Sequence, residues 1–144
     1  MYDIYTDGSC IGNPGPGGWG VISDLFTITG HEPYTTNNVM EMKAVIEALR
    51  RCKKDGLYFI RIHTDSTYVK NGITQWIHKW KLNGWKTVSG SHVKNKDMWM
   101  DIDALSRELR LVEWVWVKAH NGNSKNEEVD KLARASATTT IKYL

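Results

Sequence analysis

The sequence predicts an α/β fold in a single domain, residues 1–144, with a five-stranded mixed sheet that carries helices on both faces. Three observations lead there. β-rich and helix-periodic segments follow one another in the order βββ-α-β-α-α-β-α. A helix separates the first three strands from the fourth, and two more precede the fifth, which calls for parallel neighbours joined by right-handed crossovers. At 144 residues the chain has the size of one ordinary domain and can bury a core without staples.

Taken in order, "MYDIYTD" (1–7) reads as the first strand, "WGVISDLFTITG" (19–30) as its return and "HEPYTTN" (31–37) as an outer third strand, where Pro33 is tolerated. The period then changes. Val39, Met42, Val45, Ile46 and Leu49 fall at helical spacing, with capping residues Thr35, Thr36, Asn37 and Asn38 in front and Gly56 as a stop. This places Glu41 in the first turn. "LYFIRIHT" (57–64) is a strand again, followed at once by the helical "DSTYVKNGITQWIHKWK" (65–81), which Asp65 or Ser66 caps and Gly72 breaks or bends. Residues 83–95 read as an exposed loop, and Met98, Ile102, Leu105 and Leu109 mark the next helix. "LVEWVWVKAH" (111–120) is the last strand, "NGNSKN" a loop, and "EEVDKLARASA" a closing helix whose first-turn acids suit the helix dipole.

Composition narrows the function. Cys10 and Cys52 match no metal-ligand spacing, and no secretory apolar segment precedes the first strand, so both are expected to be reduced thiols in a cytoplasm. No apolar run approaches the roughly 18 residues of a membrane span. The net charge is only +3, but Lys70, Lys79, Lys81, Lys86, Lys94 and Lys96 fall in a stretch with no acid, interleaved with Trp76, Trp80 and Trp85. Basic groups beside aromatics suit phosphates and stacked bases. The same pattern also describes a solvated helix face with Trp76 and Trp80 as a packing stripe.

The stretch "YTDGSCIGNPGPGGWG" (5–20) holds six of the twelve glycines behind one aspartate. Its G-x-G-x-x-G at 15–20, with Glu41 some way on, imitates a dinucleotide fingerprint, but β-branched "VISDLFTITG" follows where a helix is required. A bend joining two antiparallel strands accounts for the glycines and leaves Asp7 unexplained. Asp7 ends strand one and Asp65 ends strand four. Parallel neighbours put two such carboxylates side by side at the edge where α/β sheets bind ligands. Glu41 and Asp130 reach the same edge from the first and last helices. Each acid also has a local reading: Asp7 ends a strand, Glu41 boxes with Asn38, Asp65 caps a helix, Asp130 pairs with Arg134. Together, without lysine or arginine among them, they raise one another's pKa and call for divalent cations, and an all-oxygen set suits Mg²⁺ or Mn²⁺.

"YTDGSCIGNPGPGGWG", "TTNNVMEMKAVIEAL", "TDSTYVKNGITQWIHKWK", "GWKT…VKNKDMW" and "WVWVKAHNGNSKNEEVDKLAR", in this order over nearly the whole chain, resemble bacterial-type ribonuclease HI. The resemblance implies the ribonuclease H-like fold with strand order 3-2-1-4-5. It also implies an endonuclease that cuts the RNA strand of RNA/DNA hybrids with two Mg²⁺ ions, or Mn²⁺ in their place, and leaves 5′-phosphate and 3′-hydroxyl ends. On that basis Asp7, Glu41, Asp65 and Asp130 are the metal ligands and catalytic acids, with Asp7 bridging both ions and His120 the mobile group for proton transfer or product release. Cys10, Asn13, Asn37 and Glu41 match the positions that read 2′-hydroxyls, Thr36 with Asn13 and Asn38 the DNA phosphate pocket, and Trp76, Lys94 and Trp99 the basic protrusion and its support. His31, His63, His78 and His92 have no such match. Small residues at Gly12 and Gly15 are expected to let the hybrid backbone come close. A start at Met1 just before the first strand, an end soon after the last helix and no segment left for an interface suggest a free-standing monomer.

Two departures stand out: Thr67 where the family commonly has glutamine, and a protrusion, "KTVSGSHVKN", poor in lysine. Fewer lysine–phosphate pairs give a shallower dependence of hybrid affinity on salt, by roughly 0.7–0.9 in the log–log slope for each phosphate left unengaged. A titration matched against a lysine-rich relative checks this; an equal or steeper slope contradicts it.

Overall fold

The computed structural model describes residues 1–87, 89–118 and 124–142, with side chains as far as 139. Strands β1 (Tyr2–Cys10), β2 (Gly15–Ile22) and β3 (Thr27–Thr35) form the expected meander. Helix α1 (Asn37–Lys54) leads to β4 (Phe59–Thr64); α2 (Thr67–Asn71), a π-helical turn (Gly72–Trp76) and α3 (Ile77–Leu82) follow without a break. Then come α4 (Lys96–Glu108), β5 (Leu111–Trp116) and α5 (Ser124–Lys142). The sheet order is β3-β2-β1-β4-β5, as expected, with β1 antiparallel to β2 and parallel to β4, and β4 parallel to β5.

The second strand differs from its sequence reading. Gly15–Gly20 is itself strand, with Gly15 paired to β3 and Gly17–Gly20 paired to both β1 and β3, and the hairpin break lies at Ser23–Phe26, where Ser23 Oγ accepts the N–H groups of Leu25 and Phe26. Such a serine turn closes a hairpin without glycine or proline. The glycines are there because helices press on both faces of the sheet. A Cβ on Gly8 would lie 2.3 Å from the Glu41 nitrogen in α1, and one on Gly18 would lie 2.3 Å from the Ala137 nitrogen in α5. Gly15 has no room to spare for a ligand either, since its Cβ would fall 2.0 Å from the Ile11 carbonyl oxygen. The expectation that a hybrid backbone exploits its small size is therefore corrected: the chain's own backbone occupies that space.

Between α1 and the sheet lies a core of Ile4, Val21, Ile60 and Ile62 against Met42, Val45, Ile46 and Leu49, extended by Trp99 and Ile102 of α4. Burying each such side chain stabilises the fold by about 1.5–3 kcal/mol. The π turn has a comparable steric origin. At Gly72 a Cβ would meet the Trp99 ring at 2.0 Å, so the bend anticipated at this glycine is where the indole of α4 lies directly on the backbone.

Gly18→Ala forces α5 off β2 and should cost about 1–3 kcal/mol, the usual penalty of overpacking. Urea unfolding measures it, and an unchanged midpoint contradicts the close approach.

Candidate active site

The parallel register of β1 and β4 pairs Tyr5 with His63, and carrying it on by two residues brings Asp7 level with Asp65. Asp65 occupies the short link between β4 and α2, and its neighbour Ser66 does the capping, accepting the Val69 N–H at 3.1 Å. That settles the choice between the two residues: the Asp65 carboxylate is not spent on the helix terminus. Thr36 is the N-cap of α1, accepting the Val39 N–H at 3.2 Å. Glu41 therefore sits in the second turn rather than the first, too far along for a capping box with Asn38. Its carboxylate instead accepts the Gly8 N–H of β1.

Asp7, Glu41 and Asp65 each offer an oxygen within 4.8 Å of the others. Asp7 and Glu41 are buried, at 3% and 6% exposure. Burial raises the Asp7 pKa well above the carboxylate range, and the charges of Glu41 and Asp65 add to it. Burial also raises Glu41, opposed in part by its hydrogen bond with Asp7 and, less, by the Gly8 N–H. Asp7 Oδ2 is buried with no hydrogen-bond partner among the described residues, an exception among buried polar atoms. Among the described residues no lysine or arginine pairs with Asp7, Glu41 or Asp65. Hard oxygen donors, mutual repulsion and a buried lone pair without a donor fit a divalent cation.

Asp130, on α5, lines the same cleft of about 360 Å³ together with Asn37, Asn38 and Thr67. It contributes to raising Asp7 while its Oδ2 meets Arg134 one turn on. The local pairing and the site placement thus hold together. His120 lies outside the described residues.

Nearby, Asn13 Oδ1 accepts the Asn37 N–H at 3.0 Å, tying the loop after β1 to the N-terminus of α1. The Cys10 thiol donates to the carbonyls of Gly15 and Thr35. On the other flank an open groove of about 800 Å³ includes Trp76, Trp80, Lys79, Lys86 and Lys94 in its lining. Trp99 does not reach it. With 0% exposure it is a support and not a contact, packed at a tilt against Tyr68 and Trp80 and resting on Gly72. The residue that sequence reasoning missed is Tyr68. It lines both the acidic cleft and the basic groove, and its hydroxyl accepts from Asn95 Nδ2 at 3.1 Å and Trp99 Nε1 at 3.3 Å. The signal was its place three residues after Asp65, on the first turn of a helix that leaves the site.

Comparison with known proteins agrees with this architecture. The RNase H family model matches residues 1–138. A ribonuclease H of Ehrlichia canis is 55% identical over 137 residues, covering 92% of this chain and 91% of that protein. A ribonuclease HI of Xylella fastidiosa (strain Temecula1) is 49% identical, covering 95% and 92%. Among solved structures, LC9-RNase H1, described as a type 1 RNase H with the type 2 active-site motif, superposes with a TM-score of 0.84 at 34% identity, covering 96% of this chain and 72% of that one. On its fold and on the length over which its sequence matches, the chain belongs to the ribonuclease H family.

Proposed function

We propose that this chain, acting as a single catalytic domain, hydrolyses the RNA strand of RNA/DNA hybrids and leaves 5′-phosphate and 3′-hydroxyl ends. The observation that carries the proposal is the gathering of Asp7, Glu41 and Asp65 with no lysine or arginine paired to them among the described residues, in a chain of the ribonuclease H family. Mg²⁺ is the ion we assign, with Mn²⁺ able to substitute, because the donors are all carboxylate oxygens. Asp7, Glu41, Asp65 and Asp130 would hold two such ions. When bound, these supply Lewis-acid stabilisation of the phosphate and a water nucleophile at neutral pH.

The chain's own groups do the rest. The Gly8 N–H orients Glu41, and Arg134 pairs with Oδ2 of Asp130. Thr36, Asn37, Asn38 and Asn13 surround the N-terminus of α1, where helix polarity favours a phosphate. Cys10 ends β1 just before the same loop, and Trp76 with Lys94 flanks the duplex in the groove. His120 is assigned the proton-transfer or release step. Cys10 and Cys52 form no disulfide with each other, in keeping with the cytoplasmic setting we propose, and no helix among the described residues is long and apolar enough to cross a membrane. We take the working form to be a monomer.

Two measurements test the proposal. In Mg²⁺ the protein should cleave a hybrid and spare duplex RNA of equal sequence, and Asp7→Asn should lose at least about 100-fold in kcat. Cleavage of both duplexes alike, or an active variant, overturns it. The second uses stability. Asp7 and Glu41 have folded pKa values above their unfolded ones, so their contribution to stability is present below about pH 4 and is lost as pH rises through the folded values. At pH 7.5 in chelator, Asp7→Asn should therefore be more stable than the wild type by about 1–3 kcal/mol, or roughly 3–10 °C in Tm. Mg²⁺ should narrow the gap by stabilising the wild type. A less stable variant in chelator contradicts the strain assigned to the cluster.

A further inference from the structure

We propose that Lys70, held on the indole of Trp116, binds a backbone phosphate of the hybrid beside the scissile one, an assignment that rests on the hydrolytic reading above. Trp116 is the last residue of β5 and pairs with Thr64, the residue before Asp65. The Val117 N–H continues the ladder to the Thr64 carbonyl at 2.8 Å, so the end of β5 is fixed one strand away from the carboxylates. Trp116 is 43% exposed there, an unusual amount for an indole in a sheet. Lys70 lies on α2, one turn beyond Thr67 at the cleft wall, and its Nζ is 4.8 Å from the centre of the Trp116 ring.

Charge makes this pair more than packing. Lys43, Lys53, Lys81 and Lys125 each meet a carboxylate, whereas among the described residues none pairs with Lys70. An aromatic face positions an ammonium without neutralising it. The result is an uncompensated, oriented cation at the edge of an acidic cleft, outside the groove that Trp76 and Lys94 line. A polyanion whose scissile phosphate lies at Asp7 and Asp65 extends past this edge, and the next phosphates are the anions within its reach. An indole beside them offers a face to sugar or base.

The competing account is that the pair only fastens α2 to β5. Steady-state cleavage of a hybrid in Mg²⁺ separates the two, using Lys70→Gln, Lys70→Arg and Trp116→Leu. Removing one lysine–phosphate pair should raise KM about 3–10-fold at low salt, leave kcat within about twofold, and flatten the log–log salt dependence of kcat/KM by about 0.7–0.9. Lys70→Arg should restore both, and Trp116→Leu, which keeps the charge but removes its seat, should fall between. Hybrids shortened on one side of the cut, so that the flanking phosphate is gone, should erase the difference between Lys70→Gln and wild type. Unchanged KM and slope in Lys70→Gln, with or without a lower Tm, overturn the inference while leaving the hydrolytic reading intact. A wild type that does not cleave the hybrid removes that reading, and this one with it.

Discussion

The contact on which the rest depends is the one between the Gly8 backbone and Glu41. Helix α1 lies so close to β1 that no Cβ fits at position 8, and this proximity lets a strand N–H reach a helix carboxylate. A longer residue at 8 would separate the two, taking Glu41 away from Asp7 and opening the core that Met40 and Met42 fill. Packing and site geometry are thus set by one spacing. The same economy recurs on the opposite face, where α5 rests on Gly18 and thereby carries Asp130 to the sheet edge.

Such a site costs stability in the absence of cations. Two carboxylates less than a tenth exposed, with a third beside them, place burial and like charge in opposition to ionisation. A protein evolved for stability alone would fill the position with an amide or an apolar residue. Retention of the acids makes sense only if another component supplies the charge. Net charge of the chain does not do so, because its acid-free run of lysines lies elsewhere, along the helix and loop after β4.

How much of this is legible in the sequence depends on whether the signal is local. Asp7 and Asp65 are readable because strand ends and a helix crossover fix where parallel carboxylates go, and the helical stripe from Met42 to Leu49 names its own buried face. The glycines of β2 look like a bend because their actual reason, at Gly18, is a helix at the far end of the chain, and no turn pattern reveals that. Trp99 enters the substrate-binding set only through the family resemblance, which joins it to the protrusion and its support; only the position of Gly72 beneath it, in another element, shows that its ring is enclosed. Glu41 shifts by one turn because four consecutive polar residues can all cap, and the choice of Thr36 depends on how β3 enters the helix.

An acidic cleft is a poor place for a polyanion, and on the function proposed above the architecture separates attraction from chemistry. Cations on flexible stems stand in the groove flanked by Trp76 and Trp80, while the carboxylates are held rigidly by strand register and by Gly8. Tyr68 belongs to both regions, with its ring against Trp76 and Trp99 and its edge on the cleft. Long-range attraction needs only the right number of charges at the right side, whereas phosphoryl chemistry needs fixed atoms. Placing the first on long lysine side chains and the second on acids fixed by strand register and by the Gly8 N–H lets each requirement be met without compromising the other. The aromatic cluster around Tyr68 packs directly between the two.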